Sequence, residues 1–172
     1  MKRLVICRHA KSSWNDQGLS DKDRPLNKRG KRDAPEMGKR LHAQGIKADT
    51  ILTSPAQRAR TTATIIAGEI GFPTSHIQVV EPLYGGSVFQ VIALLRVLDG
   101  SMETVLIFGH NPVFTMLANT LGDLAIDNVP TCGIVTLDVD IREWKELGPG
   151  TGKLACFDFP KNVNQMVHRG SA

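Results

Sequence analysis

Four side chains in this sequence could do chemistry together: Arg8 and His9 in "LVICRHAKSS", Arg58 in "SPAQRARTTA", and His110 in "LIFGHNP". Each follows closely on a short apolar run. Taken singly, each has an ordinary explanation as part of a polar loop, a surface arginine or a turn histidine. Gathered at one place, they form an electropositive pocket without a nearby carboxylate cluster. Guanidinium forks match the oxygens of a phosphoryl group, and the amides that open a helix add partial positive charge. A neutral imidazole in such a pocket can attack phosphorus and carry the phosphoryl group as N-phosphohistidine. Neighbouring positive charge favours that neutral form by lowering the imidazole's pKa. The remaining groups can hold the equatorial oxygens while charge redistributes in the transition state. This chemistry needs no metal or other cofactor, and no Asp, Glu or His spacing suggests a metal site.

Whether the four groups meet depends on the elements that carry them. "RLVICR" is a continuous apolar run, the pattern of a strand buried on both faces. "DTILTS" is a second short strand, "HIQVVEP" a weaker third, and "ETVLIFGHNP" a buried strand that stops at Gly109 and His110. Helices fall between them. The spacing of Ala34, Met37 and Leu41 predicts one from about Asn27 to Ala43, stopped by Gly45, with Pro35 kinking it or removing one hydrogen bond. Ala59, Ala63, Ile66 and Ile70 form the stripe of a second helix, which starts at Ala56 and ends at Gly71. "GGSVFQVIALLRVLDG" predicts a third, with Ser87 and Gln90 in capping-box spacing and Gly100 beyond its end. A fourth has Asn111 as N-cap, Pro112 in the first helical position and Gly122 as its close. "GIVTLDVD" and "KLACFDF" read as a late antiparallel pair, and the polar segment after Pro160 as a loosely held tail. Alternating strands and helices imply an α/β sandwich with a mainly parallel sheet. In such folds ligands bind beyond the carboxyl ends of the strands, where Arg8-His9, Ser54-Pro55 with Arg58, and His110-Asn111 all lie.

The totals narrow the setting. A chain of 172 residues fits one domain, over 1–160, with a tail over 161–172. No apolar run reaches the ~20 residues of a membrane-spanning helix, and "MKRLVIC" is too short in apolar residues for a signal peptide. A cytoplasmic protein with no membrane partner is expected. Cys7, Cys132 and Cys156 are odd in number and lack CxxC spacing, so each is expected to pack as a small apolar residue. The net charge of +4 favours anions, and the basic residues from Lys22 to Arg40 read as a solvated helix face. Aromatics at 5% and the absence of a known motif argue against nucleic acid.

With these residues in view, the sequence resembles the histidine phosphatase superfamily. The likeness rests on "RHA" after the first strand, "RPLNKRG" opening the first helix, "SPAQRARTTA" after the second strand and "GHNP" after the strand that ends at His110. These lie in order from residue 8 to 112. Ala10 stands where the signature usually has glycine, as in the small SixA-type phosphohistidine phosphatases, which "RDAPEMGKRL" and "EPLYGGS" also resemble. The resemblance implies a three-layer α/β/α sandwich of the phosphoglycerate mutase-like kind. It implies His9 as the phosphorylated nucleophile, with Arg8, Arg58 and His110 completing the phosphate pocket. Arg58 matches and Arg60 does not, because the pattern places arginine four residues after the serine of "SP". Arg24 and Asn111 are secondary candidates for contacting substrate, although Asn111, like Ser54, also suits a role in shaping turns and caps.

One departure bears on the substrate. Larger, mutase-like relatives carry a proton-donating glutamate a few residues after a leucine, where this chain has Tyr84, Gly85 and Gly86 after Leu83. Glu81 precedes the leucine and does not match. The expected function is therefore a metal-independent phosphatase of protein phosphohistidine, working as a monomer on a phosphohistidine-bearing protein. A phosphatase of a small phosphorylated metabolite is the alternative, and a non-catalytic phosphate-binding module a second.

Overall fold

A computed structural model describes residues 1–163 of the chain. Six strands form one sheet: β1 (Lys2–Arg8), β2 (Thr50–Thr53), β3 (Gln78–Val79), β4 (Thr104–Gly109), β5 (Ile134–Val139) and β6 (Gly152–Asp158), in the order β3-β2-β4-β1-β5-β6. The pairs β3–β2, β2–β4 and β4–β1 are parallel, whereas β5 runs antiparallel to both β1 and β6. The mainly parallel sheet and the late antiparallel pair agree with the sequence reading. Both are features of the phosphoglycerate mutase-like fold.

Five α-helices connect and cover the strands: α1 (Lys28–Ala43), α2 (Gln57–Glu69), α3 (Pro82–Gly85), α4 (Val88–Arg96) and α5 (Val113–Gly122). The strand pleat sends alternate side chains to opposite faces, and the core divides accordingly. Leu4 and Ile6 of β1 join Val91 and Leu95 of α4 and Phe114 and Leu117 of α5 on one face. Val5 and Cys7 join Met37 and Leu41 of α1 and Ala63 and Ile66 of α2 on the other. Central strands between two apolar layers explain why "LVIC" and "VLIF" are apolar without a break.

The helix signals hold at most ends. Asn27 caps α1 by accepting from the Gly30 amide at 2.9 Å, and α1 continues through Pro35. Ser87 and Gln90 form the reciprocal capping box of α4. Four details differ from the sequence reading. The third strand shrinks to Gln78–Val79, an edge with both side chains exposed. The helix expected to reach toward Gly100 ends at Arg96, and Pro82–Gly85 forms a separate turn before it. α5 begins at Val113, after a cis Asn111–Pro112 bond, and Asn111 caps from further out, its Oδ1 accepting from the Thr115 amide at 3.1 Å. The helix ends at Gly122 as expected, but the left-handed cap conformation falls on Asp123 (φ 49°) and not on a glycine.

The chain stays fastened past Pro160. Arg40, buried on α1, donates to the Asp158 carboxylate and to the carbonyls of Phe159, Pro160 and Asn162. The rest of the expected tail, 164–172, lies outside the described residues. Among the described residues no helix is long and apolar enough to cross a membrane.

Candidate active site

β1 and β4 are adjacent and parallel, so their ends deliver His9 and His110 to the same edge of the sheet. Ring centroids of the two lie 5.0 Å apart. The chain around His9 is pinned by its neighbours. Its amide donates to the Gly109 carbonyl at the end of β4, and its own carbonyl accepts from the Cys132 amide. On the far side, the Ala10 amide donates to Thr62 Oγ1 of α2, whose hydroxyl donates to the Arg58 carbonyl. A ladder of hydrogen bonds thus ties the strand end to the helix turn that bears Arg58.

His9 is only 7% exposed. Its Nδ1 lies 2.7 Å from the Ala10 carbonyl, which can only accept, so Nδ1 carries the proton and Nε2 keeps its lone pair. Burial drives the His9 pKa down to about 3; the Ala10 carbonyl opposes this, and His110, Arg58 and Arg8 add to it. His110 is pushed down to about 4, first by burial and then by Arg58. Both rings are therefore neutral near pH 7. Ser54, buried at the end of β2, accepts from the Ala56 amide and meets His110 Nε2 at 2.8 Å. When its hydroxyl proton goes to Nε2, the ring's own proton lies on Nδ1.

The arginines are held from their outer ends. Arg8 Nη1 donates to the Val129 carbonyl. Arg58, 5% exposed on the first turn of α2, donates through Nη1 to the Asp21 carbonyl and through Nη2 to the Asp21 carboxylate. Three buried nitrogens lack a partner among the described residues: Arg8 Nε, Arg58 Nε and His110 Nδ1. Buried donors are rarely left so, and three at one strand edge beside an imidazole lone pair suit an anion with several oxygens.

The four residues singled out first are thus brought together, whereas Arg60 is exposed on the outside of α2. Arg24 lies one step outward. It is buried, donates to Ser12 Oγ and the Asp21 carboxylate, and stacks on the exposed Trp14 ring at 3.5 Å. Asn111 does not face the pocket donors with free polar atoms. Its amide donates to Asn128 Oδ1 and the Val129 carbonyl while its oxygen accepts from Thr115, so it braces the segment that also holds Arg8.

Two participants escape the sequence reading. The pocket does contain a carboxylate, Asp21, which accepts from Arg58, from Arg24 and from the Tyr84 hydroxyl at 2.7 Å. Those donors, Tyr84 foremost, hold its pKa down to about 2. The Tyr84 and His110 rings also meet in a T-shaped contact, centroids 5.5 Å apart. The only signal of Asp21 in the sequence is its place three residues before Arg24. Glu81 is exposed and pairs with Lys22 at 3.4 Å.

The arrangement can hold a phosphoryl group between fixed donors and present it to a neutral, unprotonated imidazole nitrogen. Known proteins bear comparison with it. The model of the histidine phosphatase superfamily (branch 1) matches residues 4–83. The structure of the protein histidine phosphatase SixA complexed with tungstate superposes with a TM-score of 0.80 at 25% identity, covering 94% of this chain and 99% of that one. An uncharacterised protein of Mycobacterium tuberculosis is 35% identical over 164 residues, 90% of this chain and 99% of its own length. A 2,3-bisphosphoglycerate-dependent phosphoglycerate mutase of Rhodopseudomonas palustris is 42% identical over 77 residues, only 42% of this chain and 37% of the mutase. Full-length likeness on one side and strand-end residues in their expected places on the other lead to one conclusion: the chain belongs to the histidine phosphatase superfamily and to its SixA-type branch.

Proposed function

We propose that this protein is a phosphatase of protein phosphohistidine that works through a phosphorylated His9. The observation that carries the reading is the set of orphaned donors, Arg8 Nε, Arg58 Nε and His110 Nδ1, beside the unprotonated Nε2 of His9. In the first step His9 Nε2 bonds to phosphorus as the substrate's P–N bond breaks and its imidazole leaves with that electron pair, while the three donors hold the phosphoryl oxygens. In the second, water attacks the phosphorus held on His9, the P–N bond breaks with its electron pair returning to Nε2, and inorganic phosphate departs carrying the water's oxygen. Fixed cationic side chains supply the positive charge, so no step calls for a metal. The absence of a glutamate after Leu83 favours a P–N substrate, because an imidazole leaves without the proton that an alkoxide needs. Likeness to SixA supports the same substrate class.

The test is rapid quench with labelled substrate. The wild type should show acid-labile, base-stable phosphate on His9, and His9→Ala should fold normally and show none. Turnover that inverts configuration at phosphorus, with no trapped intermediate, would overturn the reading.

A further inference from the structure

Tyr84 and Asp21 are placed to choose the leaving group. In-line displacement expels it opposite the attacking nitrogen. His9 and Arg58 are 7% and 5% exposed and form the floor of the pocket. Outside them lie the half-buried Tyr84, in T-shaped contact with His110, and Asp21, whose side chain is 49% exposed and bonded to Arg58. A group leaving away from His9 therefore passes this pair.

The hydrogen-bonding polarity of the pair is fixed. A phenol has one proton, and Tyr84 gives it to Asp21 Oδ2 at 2.7 Å. The Tyr84 oxygen is left with lone pairs only, and Asp21 is a carboxylate that the Tyr84 hydroxyl, Arg58 and Arg24 keep ionised. The Asp21 bond also raises the Tyr84 pKa, so the phenol does not ionise near neutral pH. The mouth thus offers acceptors where a proton-donating glutamate would offer a donor. An ester oxygen gains negative charge as its P–O bond breaks and finds no donor in this pair; Lys22, whose Nζ lies over the Tyr84 ring 4.9 Å from its centroid, is paired with Glu81. An imidazole protonated on its distal nitrogen arrives as an N–H donor. The P–N electron pair returns to the imidazole nitrogen, phosphorus bonds to His9 Nε2, and the ring leaves neutral with its distal proton in place.

We infer that Tyr84, oriented by Asp21, is a specificity-determining residue that selects leaving groups presenting an N–H. This rests on the function proposed above and names the feature of its substrate, an N–H on the leaving ring, that the site selects.

The experiment measures kcat/KM for phosphoimidazole, 1-phospho-3-methylimidazolium and 4-nitrophenyl phosphate, with phosphoenzyme trapping in every arm. The wild type should prefer phosphoimidazole to its N-methyl analogue by about tenfold, the worth of one hydrogen bond to a charged group. Tyr84→Phe should erase that difference and lower the phosphoimidazole-to-aryl ratio by a similar factor. Asp21→Ala, which frees the phenol proton to turn outward, should move the ratio the same way. A merely structural role would lower all three rates together. Phosphorylated His9 with an unchanged ratio in Tyr84→Phe would overturn the inference alone. No phosphorylated His9 in the wild type would overturn the function and the inference with it.

Discussion

Three arginines near the site carry the same charge in different surroundings, and those surroundings assign them different work. Arg8 and Arg58 each keep a buried Nε that is unpartnered among the described residues, whereas Arg60 is exposed. Removing one charge-assisted transition-state contact costs about 3–4 kcal/mol, roughly a hundred- to thousand-fold in rate. Arg8→Ala and Arg58→Ala should each lower kcat/KM for an aryl phosphate by that factor, and Arg60→Ala should remain near wild type. Steady-state kinetics on the three variants checks this, and a crippled Arg60→Ala would contradict the assignment of roles along α2. Arg58→Lys should rescue little, since a lysine places one point charge where the guanidinium serves Asp21 and the pocket at once.

At the scale of elements, the site depends on how closely α5 and the α3 turn approach the end of β4. A Cβ on Gly109 would lie 2.5 Å from the Phe114 ring and 2.9 Å from the Leu83 carbonyl. Gly109→Ala must push those elements away from the residue just before His110. Overpacking of this kind costs about 1–3 kcal/mol, and here the displacement falls on a catalytic geometry. The variant should melt lower and lose at least about tenfold in kcat/KM, more than its stability loss explains at a temperature where it is folded. Unchanged turnover in a destabilised Gly109→Ala would show that the β4 end tolerates movement. The same packing explains what the sequence discloses. Strands buried on two faces announce themselves as unbroken apolar runs, and the residues at their ends come with them, which makes Arg8, His9 and His110 legible. Arg58 is legible through the family resemblance, whose pattern places an arginine four residues after the serine of "SP". Asp21 is not, because its role arises only when the loop after β1 folds back against Tyr84, 63 positions away in sequence.

Over the whole molecule, two neutral histidine rings, His9 buried and His110 partly so, make stability depend on pH. In the unfolded chain each titrates near the ordinary 6.5, whereas the folded values are about 3 for His9 and about 4 for His110. Below 6.5 the unfolded state binds more protons than the folded one, so stability falls as pH falls, through a window that closes near pH 3–4. Each unit of separation corresponds to about 1.4 kcal/mol for a group held away from water. Asp21 adds a second loss at lower pH. Its folded value near 2 lies below the ordinary 3.8, so its contribution is complete above 3.8 and disappears as pH falls through 2. Thermal melts should therefore show Tm declining steadily from about pH 6.5 toward pH 4. In His9→Gln, which keeps a polar group but cannot titrate, the decline should be shallower. An anion in the pocket should reverse the trend for His9 by pairing with the protonated ring, so tungstate should raise Tm more at pH 5 than at pH 7.5. A wild-type Tm that stays level down to pH 4.5, or a His9→Gln profile parallel to it, would mean that His9 does not carry the proton deficit that its burial beside Arg8, Arg58 and His110 demands.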